Sequence, residues 1–157
     1  MRRLLKVWLW GLAIMAGVFG LMQAIPYGRT HENPPAIQEP AWDSPRTREL
    51  AVRACFNCHS NQTRWPWYAN VAPMSWVVVF DVDAARSVIN FSEWNRPYEM
   101  AAYSSQSIMT GNMPTLKYRM AHPEADLTQA EMIELAHGLD ATFGIVAGHA
   151  PGLGSAP

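Results

Sequence analysis

The sequence predicts an all-α protein in which one N-terminal transmembrane helix precedes a single helical domain. Three observations support this fold class. The chain has 157 residues, enough for one domain of ordinary size and an appendage. An uninterrupted apolar run occupies residues 7–25. Signals that start helices stand at Ser44–Pro45 and at Thr128, whose partner Glu131 follows three residues later.

The apolar run is long enough to cross a membrane. At about 1.5 Å per residue it matches a hydrocarbon core roughly 30 Å thick, and Gln23 is its only strongly polar member. It is longer than the apolar core of a cleaved signal sequence, and Met22-Gln23-Ala24 lacks the small residue that cleavage requires. We therefore expect residues 1–26 to form a retained signal-anchor helix; a removed signal peptide is the alternative.

The charges are divided unequally around this run. Arg2, Arg3 and Lys6 precede it, which predicts that the N-terminus stays in the cytoplasm and that the rest lies on the periplasmic, extracytoplasmic side. The part after the run carries the other nine basic residues and all thirteen acidic residues, a net charge of −4. The sequence thus predicts no nucleic-acid partner, since no positive field is available to hold a phosphate backbone.

The residues after the anchor divide into a spacer and a helical domain. Residues 27–43 are rich in proline without apolar periodicity, which predicts an extended spacer. Ser44 and Pro45 suit the N-cap and first position of a helix that reaches Cys55–Cys58. Residues 61–73, with two prolines and three aromatic residues, predict a packed loop.

Three more segments complete the predicted domain, residues 44–143. The pattern of residues 75–90 predicts a helix, although Val77–Phe80 alone would suit a strand. Residues 98–109 form a short helix that ends before Gly111 and Pro114. The capping box at Thr128 opens a last helix to about Phe143, with Met132, Ala136 and Leu139 on one face. The Gly- and Pro-rich residues 144–157 predict a flexible tail.

The only two cysteines of the chain lie in Cys55-Phe56-Asn57-Cys58-His59. Cys-x-x-Cys-His is the attachment motif of c-type haem. At the end of a helix, residues three apart lie on one side, so both thiols reach the two vinyl groups of one porphyrin and the adjacent imidazole reaches the iron. A small, loop-rich domain with few apolar helix faces also needs a cofactor at its centre. One covalent haem c is the predicted cofactor.

Three other interpretations of the motif are weaker. A thioredoxin-like pair requires a βαβ context that the sequence lacks. A zinc site lacks a second pair of ligands at suitable spacing. A structural disulfide between Cys55 and Cys58 would be strained at neighbouring helical positions.

The sixth iron ligand has two candidates. Met113 lies in Gly111-Asn112-Met113-Pro114, where glycine and proline fix a loop that presents one thioether. His and Met ligation together is typical of electron-carrying cytochromes c. His122 is the second candidate, although it also suits a loop-capping imidazole, and an open position is the third possibility. Together His59 and Met113 form the predicted metal ligand set.

Arg64, Trp65 and Trp67 form the densest polar and aromatic group near the motif. Their hydrogen-bond donors suit haem propionates, and their rings suit the edge of the macrocycle. Ordinary loop packing with Arg64 in water is the alternative.

The sequence resembles the haem-binding domain family, small exported proteins related to cytochromes c. The similarity spans residues 44–143. In that family Met-Pro is often followed by Pro or Leu, whereas Thr115 stands here. The stretches that carry the similarity are Cys55–Asn61, Thr63–Tyr68, Ala72–Trp76, Asp81–Val82, Asn90–Trp94, Gly111–Pro114 and His122–Ala125 with Leu127.

The resemblance implies a cytochrome-c-like helical domain around a covalent haem. By the same resemblance, Cys55 and Cys58 carry the thioethers, His59 the proximal bond and Met113 the distal bond. It leaves the reaction open. We expect a membrane-anchored cytochrome that passes single electrons between extracytoplasmic redox proteins and is not an enzyme, because no acid–base pair, nucleophile or phosphate loop is present. The alternatives are a haem enzyme or gas or peroxide sensor and, without haem, a thiol-disulfide oxidoreductase.

Overall fold

The computed structural model describes residues 1–145, and within them the chain is helical with no β-strand. The all-α prediction is confirmed. Most of the predicted tail, residues 144–157, lies outside the described residues. The α-helices are α1 (Arg2–Gln23), α2 (Pro45–Ala54), α3 (Phe56–His59), α4 (Met74–Val88), α5 (Ser104–Met109), α6 (Leu116–Ala121) and α7 (Gln129–Phe143), and the 3-10 helices are Trp67–Asn70, Glu99–Tyr103 and Pro123–Ala125.

By their internal contacts the residues fall into two compact units. Unit 1 comprises Met1–Glu32 and Trp65–Asp81, and unit 2 comprises Asn33–Arg64 together with the described residues 82–145. Helix α4 contributes its first half to unit 1 and its second half to unit 2.

Helix α1 is long and apolar enough to cross a membrane, and none of its residues is buried. Its 22 residues span about 33 Å. The helix is therefore compatible with a single-pass membrane anchor.

Helix α2 begins as its sequence predicts. The hydroxyl of Ser44 accepts a hydrogen bond from the Thr47 N–H (3.1 Å), and Pro45 occupies the first helical position. The expected continuous helix to Cys58 is interrupted at Cys55, whose backbone leaves the helical region (φ −121°, ψ −37°). The break turns α3 so that Phe56 enters the core, where it is 3% exposed.

Helix α7 confirms the capping box. Thr128 accepts from the Glu131 N–H, and the Glu131 carboxylate accepts from the Thr128 N–H (2.9 Å). Gly144 ends the helix in the left-handed conformation (φ +68°). The buried face of α7 packs into the core of unit 2. This core is formed by Leu50, Ala51, Ala54, Phe56, Ile89, Phe91, Ile108, Leu127, Leu135 and Leu139.

Residues 33–43, which the sequence places in an extended spacer, pair with a distant segment of unit 2. The Ile37 N–H donates to Ser92 O (2.7 Å), and the Trp94 N–H donates to Gln38 O (2.9 Å). Trp42 packs against the core. This half of the segment is thus part of the folded unit 2.

Candidate haem site

The Cys-x-x-Cys-His segment lies at the edge of the unit 2 core. Phe56 is buried and stacks on Phe91, with ring centroids 5.5 Å apart. The Cys58 and His59 N–H groups both donate to Cys55 O, at 3.1 and 2.9 Å. Phe56 therefore holds the turn in the core, while Cys55, Cys58 and His59 remain only partly buried. No disulfide joins the two cysteines.

The imidazole of His59 is fixed by two backbone carbonyls of the α4 end. Its Nδ1 lies 3.2 Å from Ala85 O and 3.1 Å from Ile89 O. A carbonyl oxygen can only accept, so Nδ1 carries the hydrogen and the lone pair of the neutral ring is on Nε2. Histidines that bind metals commonly donate their other ring N–H in this way. His59 is thus prepared to bind a metal through Nε2.

The pKa of His59 favours the same state. Burial lowers this pKa, and the hydrogen bonds to Ile89 O and Ala85 O oppose the effect. The neutral imidazole, which is the form that binds metals, is therefore the form that the surroundings favour near neutral pH.

The thiol of Cys55 is kept protonated. Burial, followed by the neighbouring Cys58, raises the pKa of Cys55 to about 12. Catalytic cysteines of thiol-disulfide oxidoreductases have the opposite property, a lowered pKa that supplies a thiolate. This environment disfavours thiol-disulfide exchange as the role of the pair.

Arg86 of α4 connects the loop after the motif to the helix that positions His59. Its Nε donates to Ser60 O (2.8 Å), and one terminal nitrogen donates to Thr63 Oγ1 and Asn33 Oδ1 (both 3.0 Å). Burial lowers the pKa of Arg86, an effect that Asp83 and Glu93 oppose. Sequence reasoning missed this residue. Its one signal is that Arg86 is the only basic residue of α4.

A second network joins the motif to α6. The Asn57 side-chain amide donates to the Tyr118 hydroxyl (2.6 Å), and the Tyr118 ring stacks on His122 at 4.4 Å. His122 Nδ1 lies 3.1 Å from a carboxylate oxygen of Glu124. Tyr118 and Asn57 were not expected as site residues, because an asparagine inside the motif and a surface tyrosine carry no spacing signal.

The loop of Met113 has a fixed backbone. Gly111 adopts φ +73°, which favours glycine, and the Met113 N–H donates to Ser107 O (3.0 Å). The Met113–Pro114 peptide is cis, and Pro114 is buried. The Met113 side chain is 42% exposed, so it is not needed to fill the core.

The three predicted propionate and edge residues are not gathered into one unit. Arg64 belongs to unit 2, where its side chain is exposed and its backbone N–H donates to Asn57 Oδ1 (3.1 Å). Trp65 and Trp67 belong to unit 1. There Trp65 stacks on His31 at 4.7 Å, and Trp67 meets Tyr68 edge to face at 5.9 Å.

The donor set fits a covalent haem better than a metal ion held by protein alone. In residues 1–145, no group of three or more His, Cys, Asp or Glu side chains is arranged to hold a metal ion. One oriented imidazole beside two thiols gives three ligands, fewer than the four of a structural zinc site. The same groups suit a porphyrin, because the two thiols could bond to it and the imidazole could bind its iron.

Comparison with known proteins identifies one matching family. The family model of a haem-binding domain matches residues 17–141, which is 125 of the 157 residues. Neither the curated proteins nor the solved structures include a significant match. The match covers the end of α1, most of the described residues of both units and nearly all of α7. The chain belongs to the haem-binding domain family.

Proposed function

We propose that the protein is a membrane-anchored, extracytoplasmic c-type cytochrome that binds one haem covalently and transfers single electrons. The observation that carries the proposal is the orientation of His59. Two carbonyls fix its Nδ1–H, and two thiols lie within the same turn. The family match independently supports haem as the group that this turn receives.

Cys55 and Cys58 would hold the porphyrin through thioethers. Each sulfur would bond to one carbon of a vinyl group while the thiol hydrogen would go to the other carbon, so nothing would be released. His59 would bind the iron through Nε2. When bound, the haem supplies one-electron redox chemistry. The chain keeps His59 neutral and oriented through Ala85 O and Ile89 O.

Met113 is the distal ligand in this proposal. Its support is a loop whose backbone is held by Gly111 and by the bond to Ser107, while the thioether lies outside the core. His122 is the second candidate, because its Nδ1 contact with Glu124 resembles the arrangement around His59. Arg64 is proposed to bind a propionate and Trp65 to line the edge of the macrocycle. Trp67, the third residue of the predicted group, is assigned instead to the surface of unit 1, where its side chain is 80% exposed.

With His59 and Met113 both proposed as ligands, the iron would have no coordination position left for a substrate, and this favours a carrier over a catalyst. The competing function, a haem enzyme or a sensor of gas or peroxide, needs a distal position that opens. The exposure of the Met113 side chain is the observation that favours this second candidate, since an exposed thioether is easily displaced.

The test is the full chain produced in a bacterium that matures c-type haem. We expect haem staining to persist on a denaturing gel, and to be lost in the double variant Cys55→Ala, Cys58→Ala. A colourless folded protein would overturn the proposal. We further expect a six-coordinate, low-spin spectrum that resists carbon monoxide. Rapid carbon monoxide binding would instead identify the enzyme or sensor.

A further inference from the structure

The end of the membrane helix in unit 1 is attached to a distant segment. The Gln23 side-chain amide donates to Ala72 O (2.9 Å), and the Ala72 N–H donates to Gln23 Oε1 (3.0 Å). Arg29 also donates to Gln23 Oε1 (3.0 Å). The only strongly polar residue of the apolar run is thus used to hold residues 49 positions away in the chain.

Two more contacts continue this attachment after the helix. Gly28 adopts φ +79° against α4, where a Cβ would lie 2.7 Å from the Ser75 carbonyl carbon and 3.0 Å from Val79 Cγ1. His31 Nε2 lies 3.0 Å from Ala69 O, and its ring stacks on Trp65. Residues 23–31 therefore run along the segment Trp65–Val79 and do not act as a loose tether.

That segment carries an exposed apolar patch, defined here as Trp67, Met74, Val77 and Phe80. Trp67 is 80% exposed and Phe80 is 64% exposed. Met74, Val77 and Phe80 follow each other at helical spacing on α4. Among residues 65–81 the only charged side chain is Asp81. A surface this apolar is unusual for water contact and marks an interaction site.

We propose that the apolar patch lies in the headgroup region of the bilayer that α1 crosses, with its side chains against lipid. Helix α1 is about as long as the hydrocarbon core is thick, so Gln23 reaches the boundary between acyl chains and headgroups. The two hydrogen bonds to Ala72 bring the segment to the same depth. Tryptophan is enriched at this boundary, because its ring is apolar and its N–H is polar. The inference rests on the proposed anchoring of α1.

The test places a photo-crosslinking residue, p-benzoylphenylalanine, at position 67 or 77 of the full chain in vesicles of phosphatidylethanolamine and phosphatidylglycerol. The matched control is position 120, because Met120 of unit 2 is 77% exposed. After illumination, lipid adducts are measured by mass spectrometry, and membrane retention is measured after an alkaline wash. We expect strong lipid adducts at positions 67 and 77 and few at position 120.

Each outcome has one meaning. Retained protein with no more lipid adduct at position 67 than at position 120 overturns the docking alone. The same probe can be illuminated in native membranes. Crosslinks from position 67 to another protein there would also overturn the docking of the patch on lipid. Release by the alkaline wash overturns the anchoring and the docking together, while haem staining of the same samples reports separately on the proposed cytochrome.

A second variant tests the attachment itself. Gln23→Leu keeps α1 apolar but removes both hydrogen bonds to Ala72. Each hydrogen bond contributes a net factor of several to the equilibrium constant for attachment of the segment to α1. We therefore expect roughly tenfold less lipid adduct at position 67. Membrane retention and haem loading should stay unchanged. An unaltered adduct yield would show that Gln23 does not position the patch.

Discussion

Single residues outside the Cys-x-x-Cys-His motif determine how the His59 side chain is oriented. Its two hydrogen-bond acceptors belong to Ala85 and Ile89, 26 and 30 residues away. The Phe91 N–H in turn donates to His59 O (2.8 Å), so the backbone of the residue is held as well. The motif supplies the imidazole, and the end of α4 supplies its orientation.

The distal ligand is tested by two substitutions. Met113→Ala should leave the haem attached and lower the reduction potential by on the order of 0.1 V, a fraction of the roughly 0.8 V range that axial ligands set. His122→Ala is the matched control and should barely change the potential. Redox titration with optical detection measures both. The reverse pattern would make His122 the distal ligand.

Arg86 is a positioning residue in this scheme. Arg86→Met removes hydrogen bonds to Ser60, Thr63 and Asn33 and should lower the free energy of unfolding by about 2 kcal/mol, since bonds from charged donors are among the stronger ones. Arg96→Met, which removes an exposed ion pair with Glu93, should cost clearly less, because solvent screens exposed ion pairs. Urea unfolding measures both, and equal losses would contradict the role of Arg86.

Whole elements were predictable where their signals are local. The N-cap of α2 and the capping box of α7 were identified from residues that lie within four positions of each other, and the structure confirms both. The interruption at Cys55 and helix α6 were not expected. Phe56 enters the core only because Trp42 and Phe91, from other parts of the chain, surround it.

The capping box of α7 makes stability depend on pH. The Thr128 backbone N–H, the Arg53 guanidinium and the Thr128 hydroxyl lower the pKa of Glu131 from 4.5 to about 2. Because the folded pKa is lower than the unfolded pKa, the contribution of this carboxylate is complete above about pH 4.5 and is lost as the pH falls through 2. Glu131→Gln should therefore destabilise the protein at pH 7 but not at pH 2.

The control for this experiment is Glu134→Gln in the same helix, which leaves the capping box intact. Thermal unfolding monitored by circular dichroism at several pH values measures both variants. A constant difference between Glu131→Gln and the parent protein across this range would contradict the linkage.

The contact between α2 and α7 requires a glycine. A Cβ at Gly138 would lie 2.9 Å from Thr47 Cβ and closer still to the other Thr47 side-chain atoms. Gly138→Ala should therefore destabilise by about 2 kcal/mol, although alanine is the better helix former. Gly138→Ala combined with Thr47→Ala should recover part of the loss. Denaturant unfolding measures the series, and a stabilised single variant would contradict the close packing.

At the scale of the whole molecule, the distribution of charge predicts the orientation in the membrane. A C-terminal alkaline phosphatase fusion should be active, and a green fluorescent protein fusion dark, because the positive charges of Arg2, Arg3 and Lys6 favour an N-terminus in the cytoplasm. Replacing all three by Glu should lower the phosphatase activity severalfold. The control variant Arg2→Lys, Arg3→Lys, Lys6→Arg keeps the positive charges and should leave the phosphatase activity unchanged. Fluorescence from the green fluorescent protein fusion of the unaltered chain would contradict the predicted orientation.

The sequence by itself determined the features that depend on local spacing. These are the apolar run that forms α1, the helix caps at Ser44 and Thr128, and the spacing of the Cys-x-x-Cys-His motif, because each uses neighbouring residues whose physical effect does not need the rest of the chain. The helical class follows from the apolar run and the caps, and the haem-binding family follows from the similarity over residues 17–141.

Only the tertiary structure decided which distant groups meet. The carbonyls that orient His59, the bonds of Arg86, the packing of Gly138 on Thr47 and the attachment of Gln23 to Ala72 all join residues far apart in the chain. No periodicity encodes such pairs, because each contact depends on how several elements pack at once. The spacing of the Cys-x-x-Cys-His residues is local, but the carbonyl groups that orient His59 belong to residues far away in the chain.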